Sequence, residues 1–150
     1  HLSLRRQRQM CIRDRIGTSA QNASIAIGGN ATTDDRTTRS IAIGNGAVVK
    51  SADLSVTDAA IAFGANAVAL GSNAVSMGMG ANAAYASSVA LGAGSVTGAK
   101  GPTGTGFLTG TAAPASEVSV GSSSALRRIT NVADGAALQD AVTVAQLSTA

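Results

Sequence analysis

Residues 60–95 read AIAFGANAVALGSN, AVSMGMGANAAYAS and SVALGAGS when they are written in blocks of fourteen. The blocks share an aliphatic column (Ile61, Val75, Val89), a second apolar column (Phe63, Met77, Leu91) and a glycine column (Gly64, Gly78, Gly92). A fixed short period is typical of a repeat architecture, in which each repeat is one structural unit stacked on the next.

Each block contains the pattern of a short strand. Large apolar residues stand two apart with a small residue between them, as in Ile61-Ala62-Phe63. This alternation predicts a strand with its large side chains on one face, and the following glycine permits a turn. Fourteen residues are too many for one typical strand, but they fit two short strands and two turns. The sequence therefore predicts an all-β fold, a parallel β-roll (solenoid) whose coils advance by about 4.8 Å.

Earlier copies of the repeat carry insertions. Residues 24–28 and 40–44 match residues 88–92, and the marker glycines of successive coils are 16, 20, 14 and 14 residues apart. Insertions in stacked repeats emerge as loops on one edge, often the binding edge. The charged residues there are therefore candidates for ligand binding, with solvated turns as the alternative; they are Asp34, Asp35, Arg36 and Arg39.

Composition separates residues 1–15 from the rest. This tail holds five arginines and one aspartate, so its net charge of +4 exceeds the +3 of the whole chain and leaves −1 for residues 16–150. We interpret residues 1–15 as an artefactual or foreign tail, because they contain no repeat; a basic arm for nucleic acid or membranes is the alternative. The whole chain has 2% aromatic residues and no Trp. This composition favours a solenoid or fibrous surface protein over a compact enzyme.

Three segments follow the tail. We predict β-roll head repeats over residues 16–97, a Gly/Pro/Thr-rich connector over 98–116, and a neck with the start of a coiled-coil stalk over 117–150. Val118 and Val120 alternate as in a last strand. Thr143 is a predicted helix N-cap to which the Gln146 side chain reaches back.

The motifs together resemble the head and neck of the trimeric autotransporter adhesins, the YadA-like surface proteins of Gram-negative bacteria. The resemblance covers about residues 22–150 and rests on the SIAIG repeats, the stretch RITNVADG (128–135) and the residues DAVTVAQL (140–147). It implies a homotrimer of left-handed parallel β-rolls, a neck and a coiled-coil stalk on the outer membrane. Its trimer and neck residues would be Ile129, Asn131, Val132, Val144 and Leu147.

The resemblance also implies a function. We expect a cell-surface adhesin fragment that attaches to host tissue, extracellular matrix or other cells, without binding nucleic acid. Contact with the membrane would come only through a C-terminal anchor outside this stretch. A passive trimeric spacer or phage tail-fibre segment is the alternative.

Collagen is one expected partner. Some heads of this family bind it through a repeat of the form Asn-Ser-Val-Ala-Ile-Gly-x-x-Ser, which residues 88–95 approach, with Ser87 in place of the Asn and Leu91 in place of the Ile. The candidate contacts in this stretch are Ser88, Val89, Leu91 and Ser95.

Catalysis is not expected. His1 and Cys11 both lie in the tail, so we predict no metal or cofactor site and no nucleophile paired with a base. A β-solenoid enzyme acting on polysaccharide would need clustered carboxylates on one face, and the sequence shows no such cluster.

A magnitude argument supports the trimer. Each coil offers large apolar side chains worth about 1.5–3 kcal/mol each when buried, whereas ordering the backbone costs about 1–2 kcal/mol per residue. One thin roll is therefore marginal alone. We expect neighbouring rolls to approach at the small alternate positions, which are Ala26, Ala42, Ala62, Ser76 and Ala90.

Overall fold

The structure is a computed structural model that describes residues 13–14, 20, 23–51 and 57–149. The sequence-based interpretation of the tail, with His1 and Cys11, therefore lies outside the described residues, apart from Arg13–Asp14. Those two residues form a short strand that pairs in parallel with the first strand of the repeats.

Short strands make up most of the described repeats. In chain order they are β1 (Arg13–Asp14), β2 (Ile25–Ile27), β3 (Thr32–Thr33), β4 (Thr37–Thr38), β5 (Ile41–Ile43), β6 (Val48–Val49), β7 (Thr57–Asp58), β8 (Ile61–Phe63), β9 (Val68–Ala69), β10 (Val75–Met77), β11 (Asn82–Ala83), β12 (Val89–Leu91) and β13 (Val118–Ser119), followed by one helix, α1 (Val144–Thr149).

The strands form two long sheets and a small one. In the described residues, the front sheet has the order β1-β2-β5-β8-β10-β12-β13 and the back sheet has the order β11-β9-β6-β3. The side sheet consists of β4 and β7. From β2 to β11 the chain runs from a front strand to a back strand and then to the next front strand, so each of these four coils adds one strand to each long sheet.

The register reproduces the sequence columns. In the front sheet Ile41 pairs with Ile61, Ile61 with Val75, and Val75 with Val89, all in parallel. In the back sheet Val48 pairs with Val68 in the same way. The predicted all-β parallel solenoid is therefore confirmed, while its handedness and its assembly stay predictions.

The interior of the roll is built from small side chains. The middle residue of each repeat strand in the front sheet is fully buried, and so are the facing residues of the back sheet. Among the described residues the largest fully buried side chain is Val49. The expectation that Ala62 and its equivalents face neighbouring rolls is therefore wrong: they fill the narrow space between the two sheets.

The glycine column turns the chain from the front sheet to the back sheet. Gly44, Gly64 and Gly78 have φ of 132°, 134° and 132°, which L side chains rarely adopt. These turns also stack in contact: a Cβ built on Gly64 would lie 2.6 Å from the carbonyl carbon of Gly78. Both features require glycine, which confirms the predicted turn column.

The connector at residues 98–116 is an insertion within the stack. Val118 pairs with Val89 and Ser119 with Ala90, so β13 continues the front sheet beyond β12. The predicted last strand is confirmed.

The predicted helix start is also confirmed. The Gln146 backbone N–H donates to Thr143 Oγ1 (3.2 Å), while the Thr143 N–H donates to Gln146 Oε1 (3.2 Å). This is the reciprocal capping box. The Gln146 side chain also pairs with both backbone groups of Gly135, so the helix start is tied to the preceding loop.

Candidate adhesive surface

The outer side of the front sheet is apolar. Because side chains alternate along a strand, the large residues flanking each buried middle residue point away from the roll. Phe63, Met77 and Leu91 are 49%, 43% and 45% exposed. We call these outward side chains the front face: Ile25, Ile27, Ile41, Ile43, Ile61, Phe63, Val75, Met77, Val89, Leu91 and Val118. A contiguous exposed apolar surface marks a contact site on a protein.

The collagen-like motif is divided between the interior and the front face. Ser88 and Ser95 are fully buried, and their Oγ atoms donate to Tyr85 O (2.6 Å) and Leu91 O (2.7 Å). Val89 and Leu91 point outward on β12. In one chain, a ligand could therefore reach the two apolar candidates but not the two serines.

The described parts of all three insertions lie at one edge of the roll, which we call the insertion edge. Residues 34–40, residues 50–51 with 57–60, and residues 98–116 each lie between a back strand, or the segment that continues the back sheet, and the next front strand. Pairing of β4 with β7 joins the first two insertions. The structure therefore brings Asp34, Asp35, Arg36 and Arg39 together at this edge, on one short segment.

An ion pair stabilises the side sheet. Arg39 Nε donates to Asp58 Oδ1 (2.9 Å), and its second nitrogen contacts the other carboxylate oxygen. Thr38 Oγ1 donates to the same carboxylate at 2.6 Å. These hydrogen bonds, from Arg39 first and then from Thr38, lower the pKa of Asp58 to about 2. This pair could not be predicted from the sequence, because it joins two different insertions.

The pKa of Asp58 gives a testable pH dependence. Because its folded pKa of about 2 lies below the ordinary 3.8, the pair stabilises the fold above pH 4, and this contribution is lost as the pH falls towards 2. In Arg39→Gln we expect the NMR titration midpoint of the Asp58 carboxyl to rise towards 3.8, with a smaller rise in Thr38→Val. An unchanged midpoint in Arg39→Gln would contradict the assigned pairing.

Asp34 and Asp35 form an acidic pair beside Arg36. A hydrogen bond between the two carboxyl groups lowers the pKa of Asp34 and raises that of Asp35. Asp34 also anchors the loop, because its carbonyl oxygen accepts from Thr37 Oγ1 at 2.7 Å. Asp35 and Arg36 are exposed, so the insertion edge presents charges of both signs to solvent.

Arg127 links the neck to the last coil, and sequence analysis missed it. Its Nη1 donates to Ser95 Oγ (2.8 Å) and to Val120 O (2.6 Å), while Nη2 donates to Ala93 O. The one signal for it in the sequence is a charged residue that stands between the apolar residues Leu126 and Ile129 of the neck.

The predicted trimer and neck residues are not buried in the single chain. All of them are exposed, namely Ile129, Asn131, Val132, Val144 and Leu147. Their proposed partners would have to come from another chain.

Two further observations concern the described residues alone. None of their helices has the length and apolar character needed to cross a membrane. They also contain no group of three or more His, Cys, Asp and Glu side chains arranged to hold a metal ion.

Comparison with known proteins bears on the repeats. Residues 22–47 and 58–81 match the family described as YadA head domain repeat, in two copies. Over 33 residues the chain is 73% identical to the trimeric autotransporter adhesin AtaA of Acinetobacter sp. (strain Tol 5). That alignment covers 22% of this chain and 1% of the other, so the chain spans about 1% of the length of that curated relative.

One solved structure is also similar. It is the collagen-binding domain of the Yersinia adhesin YadA, at 23% identity, over 88% of this chain and 84% of that chain, with a TM-score of 0.47. The family match identifies residues 22–47 and 58–81 as YadA head domain repeats, which confirms the resemblance to the head of a trimeric autotransporter adhesin that the sequence predicted.

Proposed function

We propose that this chain is the head of a bacterial surface adhesin, displayed at the outer membrane, which attaches the cell to extracellular matrix or other cells without catalysing a reaction. The observation that carries the proposal is the pair of YadA head domain repeats, which fold into a stacked roll with its insertions on one edge. Such a roll holds surface loops in fixed positions, as ligand recognition requires.

The active form in this proposal is a homotrimer. The apolar front face supports it, because the large side chains of the repeats contribute little to the small-residue core of a single chain. Packing front faces together would remove these side chains from water. The exposed Val144 and Leu147 of α1 support it too, because apolar side chains three residues apart lie on one face of a helix and would be removed from water by a partner helix.

Ligand contact is assigned to the insertion edge. The hydroxyl groups of Ser88 and Ser95 are already used inside the roll, and a trimer contact through the front face would cover Val89 and Leu91. The charges of Asp35, Arg36 and their neighbours stay accessible. A matrix protein such as collagen is the partner class that we propose.

Adhesion can be measured directly. The full chain, fused after its last residue to a neutral trimeric coiled coil, is coupled to beads and passed over surfaces coated with collagen, fibronectin or laminin. We expect retention on at least one matrix protein, relative to beads carrying the coiled coil alone. Retention on none of them, and on no cultured cells, would instead favour the passive spacer.

One substitution tests the insertion edge. Arg36→Ala should weaken retention about tenfold, as expected for the loss of one charge-assisted contact. Arg128→Ala removes another exposed arginine, from the neck, and should leave retention unchanged. Equal losses in both variants would indicate nonspecific attraction, and no loss in Arg36→Ala would place the contact elsewhere.

A further inference from the structure

The third insertion, residues 98–116, is an ordered loop with a closed base. The Gly98 N–H donates to Glu117 Oε1 at 2.6 Å, which joins the two ends of the loop. A Cβ placed on Gly101 would lie 3.6 Å from Tyr85 Cε2 and 3.7 Å from Ala115 O. Both legs of the loop therefore run side by side against the roll.

The far end of the loop is also closed by hydrogen bonds. The Gly106 N–H donates to Thr111 O at 2.8 Å, and the Gly110 N–H donates to Gly106 O at 2.9 Å. We call residues 106–111 the tip. These backbone hydrogen bonds fix the shape of the tip, so the side chains between the two glycines are held in defined positions on the surface.

The tip presents two apolar side chains to solvent. Phe107 and Leu108 are 99% and 91% exposed in the single chain, and residues 101–116 contain no charged residue. Leaving two large apolar side chains in water is unfavourable. Adjacent exposed apolar residues on an ordered turn indicate a contact with another surface.

A matching hollow lies at the junction of head and neck. It has a volume of about 380 Å³, and its apolar lining includes Val96, Val118 and Leu126. All three side chains are exposed in the single chain. The Arg127 side chain also lines the hollow and is fixed by its hydrogen bonds to Ser95 and Val120.

The base of the third insertion and the hollow lie at the same level of the stack. The base of the loop at Gly98 and Glu117 is two residues from Val96 and next to Val118 in sequence. Rotation about a trimer axis parallel to the stack keeps this level, so a loop that projects sideways from its base would bring the tip of one chain to the hollow of the next. A cyclic trimer has heterologous contacts, in which two different patches of each chain are complementary.

We propose that Phe107 and Leu108 of one chain pack into the hollow formed by Val96, Val118 and Leu126 of the neighbouring chain, so that three tips interlock the trimer at the junction of head and neck. This contact rests on the proposed trimer and adds a specific second interface to it. The loop is long enough to span this gap: Phe107 stands six positions after Gly101, and an extended chain covers about 3.3 Å per residue.

A thiol cross-link tests the contact. In a Cys11→Ser background, Phe107→Cys is combined with Val118→Cys and treated with a short bis-maleimide. We expect denaturing gels to show covalent trimers. The control pair, Phe107→Cys with Phe63→Cys, places the second thiol three front strands away, about 14 Å along the stack, and should give none.

A second variant measures the contribution of the tip. Phe107→Ser/Leu108→Ser changes only exposed side chains, so the roll should keep its fold. We expect the concentration at which half of the chains are trimeric to rise about tenfold, as for loss of an interface hot spot. Leu138→Ser removes an equally exposed leucine outside the contact and should change this concentration less than twofold.

Each alternative to the interlock predicts a different experimental result. Chains that sediment as trimers but yield no covalent trimer, or that cross-link only within one chain, would overturn the interlock and leave the trimer intact. Protection of the Phe107→Cys thiol by phosphatidylcholine vesicles, without cross-linking, would also overturn it and assign the tip to lipid. A monomer in sedimentation would overturn both the trimer and the interlock.

Discussion

Gly78→Val should lower the free energy of unfolding by about 3 kcal/mol or more, as the sum of backbone strain and overpacking. Gly78 has φ +132°, and a Cβ built on it would lie 2.5 Å from the carbonyl carbon of Gly92 in the next coil. A β-branched residue resists this φ, and the coils cannot separate without breaking their parallel hydrogen bonds. Urea unfolding at one fixed chain concentration measures the loss.

Gly80→Ala is the matched control for this substitution. Gly80 also has a positive φ, +64°, but a Cβ there would meet no atom within 4 Å. Asn66 occupies the equivalent position one coil earlier with φ +56°, so a side chain is tolerated in this column. We expect the free energy of unfolding to fall by about 1 kcal/mol, because only the strain of a side chain at positive φ contributes. Equal losses in the two variants would show that the close stacking at Gly78 contributes nothing.

The sequence predicted the repeat well because its period is local. In the described coils, residues in the columns of Ile61 and Phe63 pair in register, and the glycines in the column of Gly64 form the turns. Alternation along a strand identifies two faces, but it does not say which one is inside. In most sheets the large apolar face is buried, whereas here turns of a few residues hold the two sheets too close for anything larger than Val49.

Contacts between residues that are far apart along the chain could not be predicted from the sequence. The glycine spacing predicted where the insertions begin, but pairing of Thr37 with Thr57 depends on two loops meeting in space. In the same way, Arg127 bonds to Ser95, which is 32 residues away. By contrast, Thr143 and Gln146 were predicted correctly because a capping box spans only three residues.

Orientation of the front face leads to the second large prediction. Val75 lies on this face, paired between Ile61 and Val89, and it is half-buried by its neighbours in the single chain. In a trimer held through the front faces, Val75→Asp would place a carboxylate in a dry apolar contact. Burying an unpaired charge costs several kcal/mol, and in a trimer this cost arises once in each of the three chains. We therefore expect Val75→Asp chains to sediment as monomers at micromolar concentration.

Val68→Asp is the control, with the same substitution on the other sheet. Val68 is also half-buried and points outward, in the back sheet, so the cost of a charge to the roll itself is matched. We expect this variant to remain trimeric, with the same far-ultraviolet circular dichroism as Val75→Asp. Trimers of Val75→Asp would move the contact away from the front face. Monomers of both variants would mean that the contact also uses the back sheet, since a front-face contact leaves Val68 in water.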